Sequence, residues 1–254
     1  MLPAPSPIVL LLHGQPGSAA DWDRVVSGLD GRADVIALDR PGWDRRTRPC
    51  DLPGNARAAL AALDARGAPR AVVAGHSLGA AVAAWLAATH PERVSALVLA
   101  APAANEDALY AIDRWLAAPV AAELAAGALL GGLGAALAVA PLRRAIAAAA
   151  RLDDAYLRAA GRAARRPRTW RAYASEQRTL VRELPALQRR LERIAAPTTI
   201  IAGARDRILP PRAAQRLSRQ IPGALLEVSP VAGHLVPQRD PDRVVAAIDA
   251  ALAG

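Results

Sequence analysis

The sequence predicts an α/β protein in which a mostly parallel sheet, expected to have six strands, is flanked by helices. Short apolar runs alternate with helical patterns, as they do in βαβ units. The first run, Ile8–Leu12, is apolar throughout, as a strand buried on both faces of a parallel sheet requires. The alternation stops between residues 105 and 193, where we predict helices and no strand. We therefore assign residues 1–104 and 194–254 to an α/β core and residues 105–193 to an inserted helical cap.

Each element of the core is predicted from its own pattern. In chain order, the predicted strands are residues 8–12, 35–38, 71–74, 94–99, 198–202 and 225–228. The predicted helices are residues 18–29, 53–66, 78–89 and 211–220, followed by a terminal helix from Asp240. Ser18 with Asp21 three residues later resembles a capping box at the start of the first helix. Pro241 occupies the first position of the terminal helix, as prolines often do.

The composition limits the class of protein. The chain has 254 residues, of which 53% are hydrophobic, although only 3% are aromatic and phenylalanine is absent. Such a chain is too apolar to be disordered. Cys50 is the single cysteine, which excludes a disulfide scaffold and zinc sites of the Cys₂His₂ or Cys₄ kind.

The charge and the apolar segments bear on partners and location. The net charge is +9 and all 32 basic residues are arginine, which with abundant alanine, glycine and proline indicates codon bias. No aromatic platform for RNA bases is visible, so we expect no nucleic-acid partner. Residues 1–5 do not resemble a signal peptide, so we expect a cytoplasmic protein. Residues 124–142 carry no charge, but they contain Pro141 and favour a buried helix over a membrane span.

A candidate nucleophile lies between the third predicted strand and the helix after it. Gly75-His76-Ser77-Leu78-Gly79 fits the pattern G-x-S-x-G, and strand–turn–helix is the setting of a nucleophile elbow. So tight a turn strains the backbone of Ser77, and the flanking glycines avoid steric clashes. The turn is expected to expose the serine hydroxyl and to place the N–H of Leu78 at a helix N-terminus, where it can stabilise an oxyanion. The alternative is an ordinary glycine-rich turn.

A serine nucleophile needs a base, and four histidines are available. His234 follows the last predicted strand, at the carboxyl end of the sheet where α/β sites gather. Asp206, after the preceding strand, is the candidate to orient His234, with an ion pair to a neighbouring arginine as the alternative. The chain order Ser77, Asp206, His234 is that of α/β-hydrolases. The remaining histidines are interpreted as structural: His13, His76 and His90.

The second oxyanion donor is expected in the loop after the first strand. Gln15 precedes Pro16 there, and proline has no N–H to donate. The backbone N–H of Gln15 is therefore the candidate, beside that of Leu78. The side chain of Gln15 is a further candidate to line the substrate pocket.

These motifs resemble those of α/β-hydrolase-fold serine hydrolases, in the group of esterases, haloperoxidase-like enzymes and C–C hydrolases. The matching stretches are LLHGQPGS at 11–18, LDRPGW at 38–43, AGHSLGA at 74–80, GARDRILPP at 203–211 and GHLVPQRDP at 233–241. The resemblance implies that Ser77 is the nucleophile, His234 the base and Asp206 its orienting residue, and that residues 105–193 form a lid. Relatives that open epoxides or displace halides carry aspartate in place of this serine.

Two features depart from the family pattern. The family usually has two further strands before the first strand found here. We therefore expect strand 35–38 to be a sheet edge, covered by a partner chain or by residues 44–55. Asp44 stands where the family often has glycine, which bears on the geometry of the loop after the second strand.

The function predicted from these observations is cleavage of a carboxylic ester through an acyl-enzyme, without cofactor or metal. Two alternatives use the same triad, namely a C–C bond hydrolase of vinylogous diketones and a perhydrolase. A ligand receptor on a hydrolase scaffold is the alternative of another class, and the complete triad argues against it. The expected partner is a small, apolar ester. A monomer or homodimer is expected, and contact with a membrane is the less favoured expectation.

The positive charge is concentrated in the predicted cap. Residues 143–193 contain 14 arginines and five acidic residues, whereas 18 arginines and 18 acidic residues balance in the rest of the chain. A solvated outer face of the cap helices is the expected explanation. The alternative is that this basic side steers anionic esters or rests on an anionic lipid surface.

Overall fold

The computed structural model describes most of the chain, namely residues 6–44, 46–110, 113–114, 117 and 121–254. The N-terminal residues 1–5, on which the signal-peptide prediction depends, lie outside the described residues.

Six parallel strands form one sheet. In chain order they are β1 (Ile8–Leu12), β2 (Asp34–Leu38), β3 (Ala71–His76), β4 (Val94–Ala100), β5 (Thr198–Gly203) and β6 (Leu225–Ser229). Their order across the sheet is β2-β1-β3-β4-β5-β6, and every neighbouring pair is parallel. The predicted α/β class and six-stranded parallel sheet are confirmed. The strand expected at a sheet edge, β2, lies at one.

Helices lie on both faces of this sheet and in the segment between β4 and β5. They are α1 (Asp23–Gly28), α2 (Leu52–Ala65), α3 (Leu78–Thr89), α4 (Ala121–Ala138), α5 (Ala140–Ala150), α6 (Asp154–Ala164), α7 (Pro167–Gln188), α8 (Pro211–Gln220), α9 (Val236–Arg239) and α10 (Pro241–Ala253). The first predicted helix is divided into a 3₁₀ turn, Ala19–Trp22, and α1. The division falls at Trp22, whose ψ of 0° departs from regular α-helical geometry.

The core consists of two apolar clusters, one on each face of the sheet. Alternate residues of a strand face opposite sides, so Leu10 and Leu12 join one cluster while Val9 and Leu11 join the other. Helices α2, α3 and the C-terminal half of α7 pack on the first face. Trp22, α1 and α10 pack on the second. Helix α7 therefore reaches from the inserted segment into the main core.

The described part of the segment between β4 and β5 contains helices and no strand, as predicted. Helices α4 and α5 meet at an angle of 100°, and Pro141 lies in the first turn of α5. In the described part of the chain, no single helix is long and apolar enough to cross a bilayer, although this bent pair passes that test by length and composition. The expectation of a buried helix over 124–142 is wrong for one side of α4. Leu130 and Leu137 are buried there, whereas Leu124 is 75% exposed.

The loop after β2 accommodates the aspartate found in place of a glycine. The side chain of Asp44 accepts hydrogen bonds from the backbone N–H of Arg46 and of Thr47, both at 2.9 Å. The left-handed position falls instead on Gly42, whose φ is +90°, a value that glycine tolerates best. The departure from the family pattern is therefore absorbed within this turn.

Candidate active site

Ser77 occupies a strained turn between β3 and α3. Its φ of +54° is rare for a residue with a side chain. A Cβ atom at Gly75 would lie 2.4 Å from the carbonyl oxygen of Gly79, and one at Gly79 would lie 2.1 Å from that of Leu12. Only glycine fits at both positions, which explains the spacing of the motif. At the turn itself, the N–H of Ser77 donates to the carbonyl of Ala100 at 3.0 Å.

The three residues singled out as nucleophile, base and orienting acid lie in one hydrogen-bonded chain. Ser77 Oγ is 3.0 Å from His234 Nε2, and His234 Nδ1 is 2.9 Å from Asp206 Oδ2. The expectation of an exposed hydroxyl is wrong, since Ser77 is only 7% exposed. The His234 ring covers it on one side. On another side the loop after β1 approaches so closely that a Cβ at Gly14 would lie 3.0 Å from the Cβ of Ser77.

Two loops at the carboxyl end of the sheet bring the base and the acid together. Asp206 lies between β5 and α8, and His234 between β6 and α9. These loops touch at a point where a Cβ on Gly203 would lie 2.1 Å from the carbonyl oxygen of Gly233. Glycine at position 203 is therefore needed for the loops to meet. The sequence places both residues at strand ends, and this contact sets their separation.

Asp206 is held as a carboxylate by its hydrogen bonds. Burial by itself raises the pKa of a carboxyl group. Here the hydrogen bond from His234 and those from the backbone N–H groups of Leu209 and Ile208 outweigh burial, and they hold the pKa of Asp206 below its usual value. An ionised Asp206 fixes the proton of His234 on Nδ1 and leaves Nε2 able to accept the proton of the serine.

His76, interpreted from the sequence as structural, supports the base from within the turn. Its Nε2 lies 2.8 Å from the carbonyl oxygen of His234. Burial, and to a lesser extent the neighbouring ring of His234, lowers the pKa of His76 to about 3. The ring is therefore neutral near pH 7 and can donate Nε2–H to that carbonyl. The other two histidines lie elsewhere: His13 is buried at the start of the loop after β1, and His90 lies at the end of α3.

The two candidate oxyanion donors lie beside Ser77. Leu78 is the first residue of α3, and Gln15 lies in the loop that packs against Ser77. Within the described residues, the backbone N–H of Gln15 and of Leu78 has no acceptor. The side-chain Nε2 of Gln15 donates to Oε1 of Gln177 at 2.7 Å, so this side chain is turned towards helix α7.

A buried arginine that the sequence analysis did not single out lies behind the loop after β1. The side chain of Arg40 donates to the carbonyl oxygens of His13 at 2.8 Å and Gly14 at 2.9 Å. It also forms an ion pair with Glu176 of α7, and each side chain is only 1% exposed. Arg40 belongs to the stretch LDRPGW, which matches the family pattern, and this match is the sequence feature that could have identified it. Its acidic partner has no local pattern that identifies it.

A cavity adjoins this site, and Ser77 does not line it. It measures ≈ 440 Å³ and lies between residues 16–21, residues 39–44 and helices α6 and α7. Burial raises the pKa of Asp21, which lines it, to about 7. Three arginines of the basic segment also line it: Arg162, Arg166 and Arg168. Ser77, His234 and Asp206 do not line this cavity.

The chain is similar to several hydrolases. The sequence profile of the alpha/beta hydrolase fold family matches residues 7–237. The putative carbamate hydrolase RutD of Klebsiella pneumoniae is 29% identical, over 94% of this chain and 90% of that protein. The pimeloyl-[acyl-carrier protein] methyl ester esterase of Neisseria meningitidis is 30% identical, over 89% and 85%. Lipase LipV of Mycobacterium tuberculosis is 36% identical, but the match covers only 44% of each chain.

Solved structures share the fold. An alpha/beta hydrolase fold protein from Burkholderia ambifaria is 25% identical with a TM-score of 0.75, covering 96% of this chain and 90% of that one. The 2-hydroxy-6-oxo-6-phenylhexa-2,4-dienoate hydrolase of a Rhodococcus species has the same TM-score at 21% identity, covering 98% and 91%. At that identity the likeness concerns the fold alone.

Proposed function

This chain belongs to the α/β-hydrolase-fold family, and we propose that within it the protein is a serine hydrolase that cleaves a carboxylic ester. The observation that carries the proposal is the continuous hydrogen-bonded chain from Ser77 Oγ through His234 to Asp206. The similarity to proteins named as an esterase and a lipase supports it. We also propose that helices α4 to α7 serve as the cap of this site.

In the proposed reaction, Ser77 Oγ attacks the carbonyl carbon of the ester while His234 Nε2 takes the serine proton. The carbonyl oxygen becomes an oxyanion, and the N–H groups of Gln15 and Leu78 are its proposed donors. The bond to the alcohol then breaks, and His234 returns the proton to the leaving oxygen. Water repeats these steps on the acyl-enzyme and releases the acid. Asp206 stabilises the positive charge that His234 carries during both halves.

A serine-reactive phosphonate tests this proposal directly. We expect it to add covalently to Ser77, because His234 activates this hydroxyl and the oxyanion donors stabilise the adduct. Intact-protein and peptide mass spectrometry would locate the added mass. Hydrolysis of a p-nitrophenyl ester, measured in parallel, should disappear at the rate at which the adduct forms.

The control is the His234→Ala variant, which should react with the phosphonate far more slowly. An added mass on another residue, or ester hydrolysis that survives complete labelling of Ser77, would contradict the mechanism. A ligand receptor on a hydrolase scaffold predicts neither labelling nor turnover. Turnover of a vinylogous diketone or formation of a peracid, without turnover of esters, would favour one of the alternative reactions.

The basic segment, residues 143–193, leads to a prediction of how the activity depends on salt concentration. Three of its arginines line the cavity beside residues 16–18, and long-range steering by exposed charges is screened over a Debye length of ~10 Å at 0.1 M salt. We therefore expect kcat/KM for a carboxylate-bearing ester to fall as salt increases from low concentration to ~0.5 M. A neutral ester of equal size is the matched control and should change little. Equal slopes for the two esters would mean that the basic segment is only a solvated face.

A further inference from the structure

Two neighbouring residues of helix α7 are connected to the loop after β1, one directly and one through Arg40. We call this loop the oxyanion loop and define it as residues 13–17. Glu176 forms an ion pair with Arg40, and the guanidinium of Arg40 binds the loop. Gln177 binds the side chain of Gln15. The chemical steps described above use neither of these contacts. They connect helix α7 to the part of the core that carries a candidate oxyanion donor.

Arg40 helps to set the direction of one peptide group in the oxyanion loop. Its Nη2 donates to the carbonyl oxygen of Gly14 at 2.9 Å, and its Nε donates to that of His13 at 2.8 Å. The C=O of Gly14 and the N–H of Gln15 belong to one planar trans peptide, in which they point in opposite directions. His13 Nδ1 also lies 2.7 Å from the Gly14 oxygen. Arg40 and His13 together therefore hold this oxygen and set the direction of the Gln15 N–H.

Arg40 depends in turn on Glu176. Its Nη2 lies 3.2 Å from Glu176 Oε2, and its Nη1 donates to Oε1 of the same carboxylate. The other side-chain acceptor is Asn55 Oδ1, at 3.3 Å from Nη1. A buried guanidinium that loses its carboxylate is strongly destabilised where it stands. Helix α7 therefore supplies the carboxylate that stabilises Arg40 in the position from which it donates to the Gly14 carbonyl.

Gln177 binds the side chain of Gln15 in the oxyanion loop. Its Oε1 accepts from Gln15 Nε2 at 2.7 Å, while its own Nε2 donates to Asp113 Oδ1 at 3.1 Å. The bond to Asp113 fixes the orientation of the Gln177 amide, so that its oxygen faces Gln15. Gln15 is thus held at its backbone through Arg40 and at its side chain through Gln177.

We propose that helix α7, through Glu176 and Gln177, sets the direction of the Gln15 N–H and so contributes to the chemical step. Arg40, Glu176 and Gln177 are positioning residues that act through this N–H and do not touch the substrate. The inference rests on the proposed function, because it assigns a role to an oxyanion donor. It gives the inserted helices a part in kcat, beyond covering the site.

The test compares two variants of α7 with a control on the same helix. Removal of an oxyanion donor costs ~10²–10³ in kcat. We expect a misdirected donor to cost ~10-fold in Gln177→Ala and ~10²-fold in Glu176→Gln, with little change in KM. Glu183→Gln is the matched control, since Glu183 also joins α7 to the core, by accepting from the Leu52 N–H at 2.7 Å, but does not touch the loop. Its kcat should stay at the wild-type value.

A trifluoromethyl ketone gives a second readout, because its adduct with the serine carries an oxyanion in the same place as the transition state. The affinity for this ketone should weaken by the same factor as kcat/KM in Glu176→Gln and in Gln177→Ala. It should stay unchanged in Glu183→Gln. An effect on KM alone, or an equal loss of kcat in Glu183→Gln, would overturn the inference.

The outcome remains decisive if Glu176→Gln does not fold, because Gln177→Ala leaves the buried ion pair intact and then decides alone. Phosphonate labelling of wild-type Ser77 keeps the two proposals apart. If Ser77 is labelled and the Glu176 and Gln177 variants have the same kcat as the control, this inference fails and the proposed function stands. If Ser77 is not labelled, the proposed function itself fails.

Discussion

Replacing Ser77 with alanine is expected to lower kcat for ester hydrolysis by about 10⁴- to 10⁶-fold. The variant lacks the atom proposed to attack the carbonyl carbon, Ser77 Oγ, which lies 3.0 Å from His234 Nε2. The fold should persist, because alanine keeps the Cβ and removes only the hydroxyl from the turn. Steady-state kinetics with a p-nitrophenyl ester, beside a thermal unfolding curve, would measure both effects.

His234→Ala is the companion variant and should be comparably inactive. Residues of one catalytic unit are non-additive, so the double variant should lose little more than either single variant. Turnover near the wild-type rate in Ser77→Ala would exclude this serine as the nucleophile. Multiplied losses in the double variant would show that the two residues act in separate steps.

Replacing Asp206 with asparagine is expected to lower kcat by ~10⁴-fold with the fold retained. Oδ1 of Asp206 accepts from the N–H groups of Ile208 at 2.8 Å and Leu209 at 3.0 Å. An asparagine would keep its oxygen on these donors and turn its NH₂ group towards His234 Nδ1. His234 Nδ1 would then accept a hydrogen bond, and the ring proton would move to Nε2. The ring could no longer take the proton of Ser77.

The kcat of Asp206→Asn is measured beside that of Asp64→Asn, a surface control. Asp64 pairs with Arg93 at 2.6 Å and is itself 64% exposed, so its variant should match the wild type. A kcat for Asp206→Asn within ~10-fold of wild type would refute the orienting role. Unchanged thermal stability in both variants would assign the loss to chemistry.

The candidate triad could be predicted because each member carries a local signal. Ser77 lies in a turn whose glycines are required by contacts of 2.4 Å and less, and the spacing of these glycines is visible in the sequence. Asp206 and His234 lie in the loops after the last two predicted strands, and parallel strands end at the same edge of the sheet. Proximity of the three residues therefore follows from the fold class, although the distances do not.

The surroundings of the triad could not be predicted in the same way. Arg40 and Glu176 are 136 residues apart, and Gln15 and Gln177 are 162 apart. No periodicity or turn pattern connects residues at such separations. The prediction of a buried helix over residues 124–142 was wrong on one side, because the apolar composition favours burial and Leu124 nevertheless faces outward.

The α/β class and the six strands could be predicted from the sequence because the period of two in strands, the period of 3.6 in helices and the steric limits of tight turns act within a few residues. The edge position of β2 was predicted from the resemblance to a known family, whose first two strands have no counterpart here. The burial of Ser77 and the contacts of Arg40 and α7 with the oxyanion loop depend instead on tertiary packing. A buried ion pair needs both partners to arrive at one point, and the packing of the inserted helices on the core brings them there.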